Sequence, residues 1–126
     1  MPFEKLLSAA REKLNPRPLG KMGEAGYVAA AIETDAGHIY TGANIDVPCS
    51  LGFCAEHAAI AAMVTAGESR IVRLVAVHHT GRVIPPCGRC REFVCQIDPR
   101  NGGCQVLLDG GKIVTIDDLL PARWDA

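Results

Sequence analysis

Apolar positions recur along this chain with two different spacings, and the alternation between them predicts an α/β protein. Phe3, Leu6, Leu7, Ala10 and Leu14 fall at helical spacing, and Asn15-Pro16-Arg17-Pro18 stops that helix before a polar, glycine-containing loop through Gly26. Tyr27 to Thr34 and His38 to Asn44 are β-like runs around Asp35-Ala36-Gly37, which predicts a hairpin. From Cys54 to Ala66 the alanine-rich run has high helix propensity and meets Gly67 as a C-terminal stop. Ile71 to Val77 is apolar except for Arg73, the pattern of a strand covered on both faces. Pro85-Pro86 then leads into a helix from Cys87 to Ile97, ended by Asp98-Pro99. Cys104 to Leu108 and Lys112 to Thr115 flank Asp109-Gly110-Gly111 as a second hairpin. Thr115-Ile116-Asp117-Asp118 has the pattern of a capping box ahead of a short last helix closed by Pro121. The predicted order is α-β-β-α-β-α-β-β-α, an α/β layer fold with no internal repeat or linker, taken as one domain over residues 1–126.

Bulk properties narrow the function. The 126 residues are 48% apolar, ample for one core, and the formal net charge is −1 with Lys and Arg scattered. No basic stripe marks a nucleic-acid partner, so the expected substrate is a small molecule. Glu4, Lys5, Arg11, Glu12 and Lys13 interrupt any apolar leader, and no run approaches the roughly 20 apolar residues of a membrane span. A cytoplasmic protein with no membrane partner is the expectation. Six cysteines in such a chain favour metal binding or free buried thiols over a disulfide framework.

Three of these cysteines carry the chemistry. Cys54-Ala55-Glu56 and Pro86-Cys87-Gly88-Arg89-Cys90 read together as a catalytic zinc site: three thiolates leave the fourth tetrahedral position open, and a carboxylate beside it can move protons. All three thiols fall at predicted helix starts, where exposed N–H groups and the helix dipole favour thiolate below the usual cysteine pKa of about 8.5. Alone, Cys-x-x-Cys also suits a redox pair or half of a structural four-cysteine zinc site, and a first-turn glutamate commonly just complements the dipole. The combination is the specific signal. His78 and His79 read as strand-end residues, and Cys49, Cys95 and Cys104 fall outside the site.

On these motifs the chain resembles the zinc-dependent cytidine deaminases, whose signature is His or Cys, one residue, Glu, then Pro-Cys-x-x-Cys. The likeness extends to Val28-Ala29-Ala30-Ala31, Gly42-Ala43-Asn44-Ile45-Asp46 and Leu119-Leu120-Pro121. It implies a three-layer α-β-α fold around a mixed five-stranded sheet, one Zn2+ per subunit held by Cys54, Cys87 and Cys90, and hydrolytic deamination at C4 of a cytosine ring with release of ammonia. Glu56 would shuttle the protons, the backbone at Ala55 would meet the pyrimidine O2, and Asn44 and Asp46 would bind ribose hydroxyls. Two subgroups fit the three-cysteine pattern: small homotetrameric enzymes acting on free cytidine or deoxycytidine in pyrimidine salvage, and blasticidin S deaminases. Cys54, where polynucleotide editors usually place histidine, points away from those editors.

Departures from the family pattern bear on the substrate. Asp46 stands where the family has glutamate. Gly26 stands where a substrate-packing phenylalanine is expected, with Tyr27 beside it as a substitute contact. His57 occupies the place of an arginine that offsets thiolate charge, so it is either a thiolate hydrogen-bond partner or a packing residue. Trp124 matches a terminal aromatic that reaches a neighbouring subunit's pocket, and equally suits packing on its own core; Arg82 lies one residue out of register with a substrate arginine of the blasticidin group. The readings ahead are therefore a cytidine deaminase, the same chemistry on blasticidin S or a modified cytosine nucleoside, and a non-catalytic zinc-stabilised module in which Glu56 is dispensable.

Overall fold

A computed structural model describes residues 2–125. The elements are α1 (Glu4–Arg11), β1 (Arg17–Leu19), β2 (Gly23–Thr34), β3 (Ile39–Asp46), α2 (Ala55–Thr65), β4 (Ile71–His78), β5 (Val83–Ile84), α3 (Gly88–Ile97), β6 (Gln105–Leu107), β7 (Ile113–Thr115) and α4 (Ile116–Leu119). Strands β3, β2, β4, β6 and β7 lie side by side, with β4 and β6 parallel and the other pairs antiparallel. This is the expected mixed five-stranded sheet. Two short strands enlarge it to seven: β1 pairs with the start of β2, and β5 with the end of β4.

Strand β1 replaces part of the expected loop. Pro18 breaks a helix but suits the edge of a sheet, where its missing N–H leaves no gap in a ladder. Helix α1 likewise ends at Arg11, short of Leu14, although Leu14 still packs on the core from the following turn.

Layering follows from side-chain alternation. Ala29 and Ala31 of β2 and Val75 and Val77 of β4 face Leu6 and Ala10 of α1 and Phe3, its N-cap. Ile32 and Leu74 point the other way, toward Ile60 and Met63 of α2 and Val94 of α3. Both faces are covered, so the two strands read as continuous apolar runs. Because small alanines fill the middle of β2, helices can lie close on either side.

Buried polar groups tie the layers together. Asn101 is fully buried; its Oδ1 accepts from the Ile71 N–H at 2.8 Å, and its Nδ2 donates to the carbonyls of Ser69 at 2.9 Å and Val94 at 3.1 Å. One side chain thus joins the start of β4 to helix α3. Thr115 and Asp118 form the predicted capping box of α4. Across the sheet's far end, the Tyr40 hydroxyl donates to Glu68 Oε2 at 2.5 Å and His38 Nδ1 lies 2.9 Å from the same oxygen.

The Tyr40 hydroxyl, with Thr34 and His38 assisting, lowers the Glu68 carboxyl from its ordinary 4.5 to about 2. A carboxyl depressed on folding stabilises the protein above its unfolded pKa and loses that contribution as pH falls through the folded one. Tyr40→Phe should therefore lower the denaturant midpoint at pH 7, with the gap to the parent narrowing between about pH 4.5 and pH 2. A gap that is constant with pH would assign the loss to packing alone.

Candidate active site

Two helix N-termini converge over the sheet. Cys54 is the N-cap of α2 and Cys87 the N-cap of α3, both with extended backbone, and Cys90 sits in the first turn of α3. Their sulfurs gather: Cys54 Sγ lies 3.6 Å from Cys87 Sγ, and Cys87 Sγ lies 3.5 Å from Cys90 Sγ. A tetrahedral zinc with bonds of about 2.3 Å places its sulfurs ~3.8 Å apart, so this donor set fits the ion with a small expansion. Cys54 Sγ, His57 Nδ1 and Cys90 Sγ also lie within 4.8 Å of one another, so the cluster carries a nitrogen beside its thiols.

The thiols do not share one electrostatic setting. Burial, with the neighbouring Cys87, pushes Cys54 up, and burial together with the Glu56 carboxylate pushes Cys90 far up. For Cys87 burial works in the same upward sense, but hydrogen bonds from the Cys90 backbone and from the Cys90 and Cys54 thiols outweigh it and lower its pKa. The expectation that every thiol is acidified thus holds for Cys87 alone. Burial opposes the thiolate form at the other two, and a divalent cation is the natural counter-charge.

Glu56 lies one residue inside α2 and is 4% exposed, and burial raises its carboxyl above the ordinary value. It opens onto a cleft of about 410 Å³. Val28, Phe53, Ile84 and Pro85 give it apolar lining, and Cys54, Cys87 and Ala55 line it too. Being the first residue of α2, Ala55 has a backbone N–H with no partner inside the helix.

Asn44 and Asp46, at the end of β3, line the same cleft. The β2–β3 ladder is interrupted between Ala25 and Ala29, and Asn44 Oδ1 repairs the gap by accepting from the Val28 N–H at 2.9 Å. That leaves its Nδ2 as the group to offer a ligand. The loop over the cleft is pinned by the reciprocal backbone bonds of Ile45 and Phe53 at 3.1 and 2.9 Å, and carries Cys49 and Ser50 in the left-handed region.

Tyr27, Trp124 and Arg82 are not among the residues that line this cleft within one subunit. Tyr27 packs edge-on against His79 with centroids 5.0 Å apart and does not line the cleft. Trp124 is 83% exposed, and its backbone N–H donates to Glu92 Oε1 at 3.1 Å. Arg82 faces Asp109 at 3.9 Å, away from the cleft. Among the lining residues that the sequence reading missed, two stand out. Phe53, directly before Cys54, was available as an aromatic adjoining the motif; Arg89, inside Cys-x-x-Cys, was available as its one charged residue.

Residues 4–104 match the model of the cytidine and deoxycytidylate deaminase zinc-binding region. A cytidine deaminase of Mycobacterium tuberculosis is 36% identical over 96 residues, covering 75% of this chain and 69% of that protein. A blasticidin-S deaminase of Bacillus cereus is 34% identical over 110 residues, covering 78% of this chain and 76% of that one. Among solved structures, a cytidine deaminase from Mycobacterium leprae superposes with a TM-score of 0.80 at 26% identity, over 97% of this chain and 99% of that one.

The site depends on a close approach between helix and strand. A Cβ at Gly42 would stand 2.5 Å from Ala58 Cβ, 2.5 Å from the Ala59 nitrogen and 2.8 Å from the Ala55 carbonyl oxygen. Backbone cannot yield as a side chain does, so Gly42→Ala must lift α2 and carry Cys54 away from Cys87. The expected cost is about 1–3 kcal/mol in chemical denaturation, together with reduced zinc content of the purified protein. Unchanged stability and metal content would show that no such close contact exists.

Proposed function

We propose that this chain, which belongs to the cytidine and deoxycytidylate deaminase family, hydrolyses cytidine and deoxycytidine to the uracil nucleosides and ammonia. The observation that carries this reading is the gathering of three cysteine sulfurs, Cys87 Sγ lying 3.6 Å from Cys54 Sγ and 3.5 Å from Cys90 Sγ, beside a buried carboxyl that lines a largely apolar cleft. Cys54, Cys87 and Cys90 would hold one zinc. When bound, that ion supplies Lewis-acid activation of water at neutral pH.

The remaining work falls to the chain's own groups. Glu56, kept out of bulk water and raised in pKa, accepts a proton from the attacking water and delivers it to ring N3, then carries the proton of the new C4 hydroxyl to the leaving amine. Val28, Phe53, Ile84 and Pro85 sandwich a planar ring and exclude solvent. The free Ala55 N–H suits the pyrimidine O2. Asn44 Nδ2 and the Asp46 carboxylate suit sugar hydroxyls, one as donor and the other as acceptor.

A second reading keeps the chemistry and changes the substrate to blasticidin S or a modified cytosine nucleoside. Arg89 favours it: the guanidinium lines the cleft and makes no hydrogen bond or ion pair among the described residues, so it is available to an anionic substituent that cytidine lacks. The similarity to a blasticidin-S deaminase points the same way.

A homotetramer in the cytoplasm, with a role in pyrimidine salvage, completes the proposal. Helix α2 supports assembly, because it is apolar outside as well as inside: Ala61 and Val64 are exposed opposite the buried Ala59, Ile60 and Met63. An exposed Trp124 is suited to a neighbouring subunit's pocket. Among the described residues no helix is long and apolar enough to cross a membrane.

Following the ultraviolet absorbance of cytidine with zinc-loaded protein tests the first reading. Conversion to uridine is expected, with Glu56→Gln retaining zinc and fold while turnover falls by about 10²–10⁴-fold. A near-normal rate in that variant would remove Glu56 from the chemistry. A zinc-loaded protein that leaves cytidine unchanged but deaminates blasticidin S would select the second reading.

A further inference from the structure

We infer that His57 is a positioning residue for the metal centre: its Nδ1–H donates to Cys90 Sγ, and the ring of Phe93 holds it there. The inference rests on the zinc assignment above and concerns only the chain's own residues toward that ion.

Cys90 is fully buried, so solvent cannot supply hydrogen bonds to its sulfur. Three thiolates on one divalent ion leave an excess negative charge, and protein donors are what remain to spread it. His57 Nδ1 lies 3.4 Å from Cys90 Sγ, the separation of an N–H···S hydrogen bond. The imidazole also stacks on Phe93 with centroids 4.3 Å apart and planes within 2° of parallel.

The spacing explains why the two rings meet. His57 follows Cys54 by three residues on α2, and Phe93 follows Cys90 by three on α3. On a helix that interval puts both members of a pair on one face. Each helix therefore presents a thiol and, one turn deeper, a ring; when the thiols converge, the rings stack. The stack in turn fixes which edge of the imidazole faces sulfur, and so favours the tautomer with hydrogen on Nδ1. Phe93 packs against the main core, so the ring is held from behind.

Three variants separate donation from packing. His57→Phe keeps an aromatic ring on Phe93 and deletes the N–H. His57→Asn deletes the ring and keeps an N–H near the Nδ1 position. Phe93→Leu keeps the imidazole and loosens it. Each is loaded with cobalt, and the near-ultraviolet thiolate-to-metal band is recorded; zinc-loaded samples are challenged with a competing chelator, and far-ultraviolet circular dichroism checks the fold. In His57→Phe the band is expected to move to longer wavelength, since an unsupported thiolate gives up charge more easily, and zinc affinity to fall by about 10–100-fold. His57→Asn should return the band toward its original position, and Phe93→Leu should fall between.

Wild-type behaviour of His57→Phe in both measurements would overturn the inference, as would a cobalt spectrum showing nitrogen as a fourth ligand. A parent protein that binds no cobalt or zinc would defeat the zinc assignment itself, and the inference with it.

Discussion

Helix α2 can lie against β3 only because Gly42 offers no side chain at the crossing, and that closeness sets where Cys54 emerges. Helix α3 is placed independently, by Val94 in the core and by the Asn101 amide that takes its carbonyl. Arg91 fixes its first turn: Nε donates to the Pro86 carbonyl at 2.8 Å and a terminal nitrogen to the Leu119 carbonyl at 3.0 Å. With both helices anchored from below, their starting residues have little freedom. The sulfur spacing is thus imposed by backbone packing several residues from the sulfurs themselves.

That arrangement stabilises a cation at the expense of the empty site. Two of the three thiols are pushed toward their neutral form by burial, and the adjoining Glu56 is driven the same way. Deprotonating them together requires a positive charge in their midst. Metal affinity and the stability of this corner are therefore linked quantities, because whatever binds the folded state alone adds to its stability. The Tyr40–Glu68–His38 contacts share no residue with this corner.

Much of this was legible in the chain because local chemistry and global placement agreed. Cys54 and Cys87 cap their helices as their neighbours predict, and the apolar runs of β2 and β4 are the two-faced strands their composition suggests. Glycine at 67 and the Thr115 capping box ended and began helices as local rules require. Other features were hidden because their causes are non-local. Nothing near Arg17–Leu19 announces a strand; it pairs because Gly23–Ala25 returns alongside it. Tyr27 adjoins a motif residue yet packs against His79, a contact between strand ends that no local pattern announces. Phe53 reaches the cleft only because its backbone bridges to Ile45. Asn44 has two duties, repairing a ladder and lining a cleft, and sequence could suggest only the second.

Gly26 makes the interruption in the β2–β3 ladder a fixed feature of the backbone. Its backbone has φ +83°, and a Cβ there would stand 2.1 Å from the Asn15 carbonyl oxygen. No single replacement can put an aromatic ring at this position, because the main chain of the preceding loop already occupies the space. Any narrowing of what the cleft admits has to come from the residues that do line it, and a designer reshaping substrate range works under the same restriction.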